Sequence, residues 1–254
     1  MTHGQLREGF PMLADSRQPT DLRSEVSATQ TELSRCLTQI TSLNPPTRLA
    51  GFAALRQILE SEEDEEAFRE TQRVSECEVM QTLLTLLQKH LPKHSHPPHR
   101  NHTPQNPSLS LLALDILQGV ALRDAASKSV VGRGGMETLA TYALSHTDAL
   151  TAAAALEAIQ CILVDSCVNL EIFDTSPHLL AICALLKQAE VPFLVKRKCI
   201  ELLTIYLSAP PTTEDTRNDS DRQERWVGKQ GERQARVARV LGQGFVRRLG
   251  GGVG

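Results

Sequence analysis

A chain of 254 residues, 41% of them apolar, is long enough to bury a core of its own, and with aromatics at only 4% that core must be filled by Leu and Ala, which suits helices. A formal net charge of −3 argues against nucleic-acid binding driven by overall charge. No apolar run reaches the roughly 20 residues that span a bilayer, and the N-terminus lacks the apolar core of a secretory signal; the expected compartment is cytosol or nucleus.

Residues 1–20 mix Gly, Pro, Arg and Asp without a period and read as disordered. A helix is expected from Asp21 to about Leu43, with Leu22, Val26, Leu33, Leu37 and Ile40 as its apolar face. Asn44-Pro45-Pro46 ends it, and Thr47 is expected to cap a second helix running to Leu59. The acidic run Glu60–Glu66 suits the N-terminus of a third helix, Ala67 to Leu91, whose buried edge is Val79, Leu83, Leu84, Leu87 and Leu91.

Residues 92–107 are rich in His and Pro. His94, His96, His99 and His102 invite a zinc or nickel reading, because neutral imidazole is a good ligand. The prolines between them favour extended chain, and no neighbouring acid would hold the imidazole tautomers, so the segment reads as a loop.

From Ser108 to Leu207 one helical unit is written about two and a half times. Ala113-Leu114-Asp115-Ile116-Leu117-Gln118-Gly119-Val120 aligns with Ala155-Leu156-Glu157-Ala158-Ile159-Gln160-Cys161-Ile162, and the pattern returns at Ile200-Glu201-Leu202-Leu203-Thr204-Ile205-Tyr206-Leu207. The spacing is roughly 42 to 44 residues, as in armadillo and HEAT repeats. Each of the first two helices is followed by a minor apolar pair (Val130-Val131, Ile172-Phe173), then a break at residues 132–135 or 174–177, then a second apolar helix. The polar stripe of each main helix is narrow: Asp115 with Gln118, Glu157 with Gln160, Glu201 with Thr204. A helix apolar on most of its circumference must be buried on most of it, which stacked repeats require. The expected fold is all-α, an armadillo/HEAT-like solenoid over residues 21–207.

Residues 208–228 read as a linker, and 229–254 as a basic amphipathic tail. In that tail Val237, Leu241, Phe245 and Leu249 are assigned to one face and Arg233, Arg236, Arg247 and Arg248 to the other. Such a helix packs back on the solenoid end or serves a peripheral membrane adaptor.

Catalytic patterns are missing. There is no phosphate-binding Gly-x-x-x-x-Gly-Lys-Ser/Thr loop, no Gly-x-Ser-x-Gly elbow, and no Cys followed six places later by Arg. The six cysteines include no Cys-x-x-Cys pair, and Cys161, Cys167, Cys183 and Cys199 fall in or beside apolar helices as small hydrophobes. No cofactor or small-molecule substrate is implied. A metal-dependent enzyme using His94–His102 is the alternative of another class.

Three stretches stand in a familiar order: Ala67-Phe68-Arg69-Glu70, then Leu114 to Val120, then Asn169-Leu170-Glu171-Ile172-Phe173 through Val195-Lys196-Arg197-Lys198 to Leu207. Over roughly Pro45 to Leu207 the chain resembles the fungal cell division control protein 14 family of the septation initiation network, the kinase partner rather than the phosphatase of the same name. It departs from that pattern at Val74–Met80, where the family has an aromatic-rich segment, and in its arginine-rich tail, where the family has an acidic helix. The resemblance implies a non-enzymatic, armadillo-type regulatory subunit. It would bind a germinal-centre, Ste20-type kinase at the spindle pole body and division site and promote septum formation. In such a stack Asp115, Glu157 and Glu201 would form an acidic ladder along one groove, with Gln118, Gln160 and Thr204 beside it and Lys196, Arg197 and Lys198 on a neighbouring edge. That ladder would attract a basic or amphipathic segment of the kinase.

Overall fold

A chain whose interior must be Leu and Ala should be helical, and the computed structural model contains only helices among the residues it describes: 19–61, 65–74, 78–91, 107–145, 148–208 and 219–249. They are α1 (Pro19–Ile40), α2 (Pro45–Glu60), α3 (Glu65–Val74), α4 (Glu78–Lys89), α5 (Pro107–Arg123), a short 3-10 helix η1 (Ala126–Val130), α6 (Gly132–Leu144) and α7 (Ala149–Leu163), followed by α8 (Cys167–Thr175), α9 (His178–Leu185), α10 (Phe193–Ser208), α11 (Asp219–Leu241) and α12 (Gln243–Leu249). The all-α expectation holds for these residues.

The helices pack in rows. The main row runs α2, α5, α7, α10, each against the next; a second row runs α4, α6, α9, α11; η1 and α8 touch between them. The order helix, small helix, helix is therefore present as α5-η1-α6 and again as α7-α8-α9. Leu117, Ile159 and Leu203, at matching places in the written repeat, are all fully buried. At the N-terminal end α1 lies against α2 and α3.

Several boundaries differ from expectation for identifiable reasons. The prolines at 45 and 46 end one helix but also begin the next, because a first-turn residue needs no N–H partner; Asn44, not Thr47, stands at the N-cap, without a side-chain cap bond. The stretch 67–91 holds two helices, α3 and α4, on either side of residues 75–77. Glycines 132, 134 and 135 lie in the first turn of α6 rather than in a break, and the Gly135 amide continues the ladder to the Val131 carbonyl at 2.9 Å. The linker assigned to 208–228 is helical from Asp219, and Pro19 and Thr20 already belong to α1; residues 1–18 and 209–218 lie outside the described residues. The tail is two helices, parted at Gly242, whose φ of 86° is a left-handed conformation that glycine adopts without penalty.

One close approach holds the N-terminal helices together. A Cβ at Gly51 of α2 would lie 2.8 Å from Gln39 Cβ and 2.9 Å from the Ile40 amide nitrogen of α1. Backbone cannot yield as a flexible side chain can, so only glycine fits. Gly51→Ala is expected to cost about 1–3 kcal/mol in denaturant unfolding. Leu117→Ala, Ile159→Ala and Leu203→Ala should each cost about 2–5 kcal/mol by the same measurement.

Candidate docking groove

Helix α7 carries alanine at positions 152 to 155. Small side chains make its outer surface recede between α5 and α10, which present leucines there. The result is a groove of about 390 Å³ lined by Leu111, Leu112, Asp115 and Gln118 of α5, by Leu150, Ala153, Ala154 and Glu157 of α7, and by Arg56, Leu194 and Lys198. The start of α7 is fixed by Asp148, whose carboxylate accepts from the Leu150 and Thr151 amides at 3.1 Å each. The bond from the Thr151 hydroxyl is the main cause that holds the Asp148 carboxyl below its ordinary range.

The acids of the repeat do follow one another across α5, α7 and α10, and Asp115 and Glu157 both line the groove. They do not form a negative ladder, because each is paired. Asp115 meets the Arg56 guanidinium of α2; Glu157 meets Lys198 Nζ of α10 at 3.3 Å; Glu201 meets the same Lys198 at 2.9 Å and Arg197 at 2.8 Å. Three cations thus offset three acids. The bond to Glu201 is the largest cause that raises the Lys198 amine, and the bonds from Lys198 and then Arg197 hold the Glu201 carboxyl low.

The polar partners divide. Gln118 Nε2 donates to the Ala154 carbonyl at 3.0 Å, and Gln160 Nε2 donates to the Lys198 carbonyl at 3.0 Å. These bonds clasp α5 to α7 and α7 to α10 at the same place in the repeat; Gln118 still lines the groove while Gln160 is buried. Thr204 has turned back to its own helix, donating to the Ile200 carbonyl at 2.9 Å. Lys196 is half-buried, and Arg197 is spent on Glu201.

The stretches that carry the family resemblance serve packing. Phe68 is fully buried, and Arg69 donates to the Arg123 carbonyl at 2.9 Å. Asn169 donates to the Lys128 carbonyl at 2.7 Å, while buried Lys128 donates to the Val164 carbonyl at 2.7 Å. Burial pushes that lysine amine down from its ordinary value. Phe173 stacks edge-on against Tyr206, centroids 5.6 Å apart.

Sequence reading missed the node beside that pair. The Tyr206 hydroxyl donates to Asp174 Oδ1 at 2.5 Å, Arg233 Nε lies 3.4 Å from Asp174 Oδ2, and the Arg233 guanidinium sits 5.4 Å from the Tyr206 ring centroid. Arg236 donates to the Asp174 carbonyl, and Lys229 pairs with Glu171 at 3.0 Å. Arg233 is therefore on the buried side of α11, contrary to its assignment opposite Val237. Helical spacing contains the signal, since residues four apart share a face. Val237 is buried and Leu241, Phe245 and Leu249 are partly buried against the core, so the tail's apolar face packs on the protein itself.

The remaining chemistry is quiet. Burial pushes the Cys183 and Cys199 thiols up to about 12 each, far from a reactive thiolate. Among the described residues no cluster of His, Cys, Asp and Glu could hold a metal ion, and no helix is long and apolar enough to cross a membrane. His94, His96, His99 and His102 lie outside the described residues.

The sequence model of a family described as cell division control protein 14, SIN component, matches residues 29–246, from within α1 to within α12. No curated protein and no solved structure matches the chain.

The shared cation gives a pH signature. Glu201 is depressed below 4.5, so its share of stability is present above that value and lost as pH falls through its folded pKa. Lys198 is raised above 10.5, so its share is present below that value and lost as pH rises through its folded pKa. The stability gap between wild type and Lys198→Met, followed by denaturant unfolding across pH, should be widest near neutrality and narrow at both extremes.

Proposed function

The chain belongs to the cell division control protein 14 family, SIN component, and on that premise we propose that it is a non-catalytic scaffold subunit that binds a germinal-centre, Ste20-type kinase. Membership means a role in the septation initiation network. On our reading the complex forms in the cytoplasm, the subunit helps bring the kinase to the spindle pole body and division site, and septum formation and cytokinesis follow.

The observation that carries the reading is the groove. It crosses three successive main-row helices and is lined by leucine and alanine with charges that the protein itself has neutralised. That is a surface for a polypeptide rather than a site for a reaction. A reacting centre needs a nucleophile, or an acid and base with displaced pKa values, held within reach of one another. Here the lining acids sit beside cations, and Cys36, Cys183 and Cys199 are buried thiols. The rows α2-α5-α7-α10 and α4-α6-α9-α11, with η1 and α8 between them, support an armadillo-like stack as the frame that presents this surface.

Affinity purification of the full chain from dividing cells, with identification of co-purifying kinases, tests the proposal. A Ste20-type kinase should be recovered in near-stoichiometric amount. Its absence from a complex that retains other network components would refute the scaffold role.

A further inference from the structure

We infer that the groove receives an amphipathic helix of the bound partner carrying one Lys or Arg at its centre, aliphatic side chains on either side of it, and acids toward its ends. The inference rests on the scaffold reading above and specifies the chemistry of its contact. It follows from the order in which charges stand across the main row. Arg56 is on α2, Asp115 on α5, Glu157 on α7 and Lys198 on α10, and these helices touch in that sequence. Among the charged residues that line the groove the pattern is plus, minus, minus, plus, while Arg56 also meets Glu60 at 3.7 Å and Lys198 also meets Glu201 at 2.9 Å outside the lining.

Both acids are therefore inner and both cations outer. The Asp115 and Glu157 side chains remain 43% and 42% exposed. An ionised carboxylate has about four acceptor positions, so a pair with one cation leaves room for a further donor. A cation on the partner placed between Asp115 and Glu157 would find both. A run of cations would not fit, because its flanking members would meet Arg56 and Lys198. A run of anions fails at the centre for the converse reason. Acids flanking a single base complement the whole pattern.

The apolar part has its own requirement. Leu150, at the start of α7, is 58% exposed beside Leu111, Leu112 and Leu194, and Ala153 and Ala154 form the low floor between them. Leucine left in water loses the burial that a contact would supply. A space of about 390 Å³ takes a few side chains, not a folded domain. A helix laid in a groove offers them at i, i+3, i+4 and i+7, with its other face free for solvent.

The test uses the full chain and two synthetic helical peptides of about four turns. They carry the same leucines and terminal acids and differ only in a central Lys or Glu. Fluorescence anisotropy titrations should show the Lys peptide binding wild type roughly tenfold or more tighter than the Glu peptide. Leu150→Glu, at an exposed position, should weaken the Lys peptide by a similar factor with circular dichroism unchanged. The double swap Arg56→Asp with Asp115→Arg keeps an ion pair but brings a cation inward, so it should abolish or reverse the Lys preference. Equal affinity for both peptides, binding of neither, or binding untouched by Leu150→Glu overturns the inference. Kinase recovery in the affinity purification decides the scaffold reading separately, so each can fail without the other.

Discussion

Everything in this protein depends on the burial of α7. Its residues Ala149–Leu163 are apolar or small almost all round, and Ala155, Leu156, Ala158, Ile159 and Ile162 are sealed from solvent. A helix of that kind cannot stand at a surface, so α5 must cover one flank and α10 the other. Because alanine fills so much of it, the neighbours approach closely and their longer side chains overhang. Another face of the same helix, with Ala153 and Ala154, makes the groove above it.

Apolar packing alone would let such helices slide, since one leucine contact resembles the next. Polar bonds to backbone carbonyls set the register. Gln118 reaches the Ala154 carbonyl and Gln160 the Lys198 carbonyl; Lys128 reaches Val164, and Asn169 reaches Lys128. A buried donor without its acceptor carries a desolvation penalty of about 1–3 kcal/mol, so a shifted arrangement is disfavoured at each clasp. Lys128 and Asn169 lie on η1 and α8, so the small helices bring one donor to the end of α7 and tie themselves to one another.

The two ends of the helical rows are closed differently. At the start α1 lies close against α2, with Gly51 permitting the contact and Phe52 and Leu55 buried. At the far end α11 lies against α9 and α10, with Arg233 and Arg236 fixed on Asp174 and Arg233 over the Tyr206 ring. Desolvated Arg233 is tolerated there because a carboxylate and an aromatic face receive it together, while Arg236 beside it donates to the Asp174 carbonyl. A surface that would otherwise meet water as open core, around Tyr206 and Leu207, is covered by the chain itself.

The all-helical character, the burial of Leu117, Ile159 and Leu203, and the places of Asp115, Glu157 and Glu201 on successive touching helices were legible in the sequence. Each depends on periodicity, which one strand of text records completely. Boundaries at Pro45 and residues 132–135 were read less well, because proline and glycine are as admissible in a first helical turn as in a break. What the sequence did not contain was the pairing of Asp115 and Glu157, whereas Glu201 meets Arg197 and Lys198 at helical spacings of four and three residues. Arg56 stands 59 residues before Asp115, and Lys198 stands 41 after Glu157. No local spacing connects them, so a row that reads as negative along the chain is neutral in space. Arg233, 59 residues from Asp174, passed for a solvent-facing charge for the same reason. Helical identity is a local property of the chain, whereas charge compensation depends on which distant helix lies alongside, and only tertiary packing decides that.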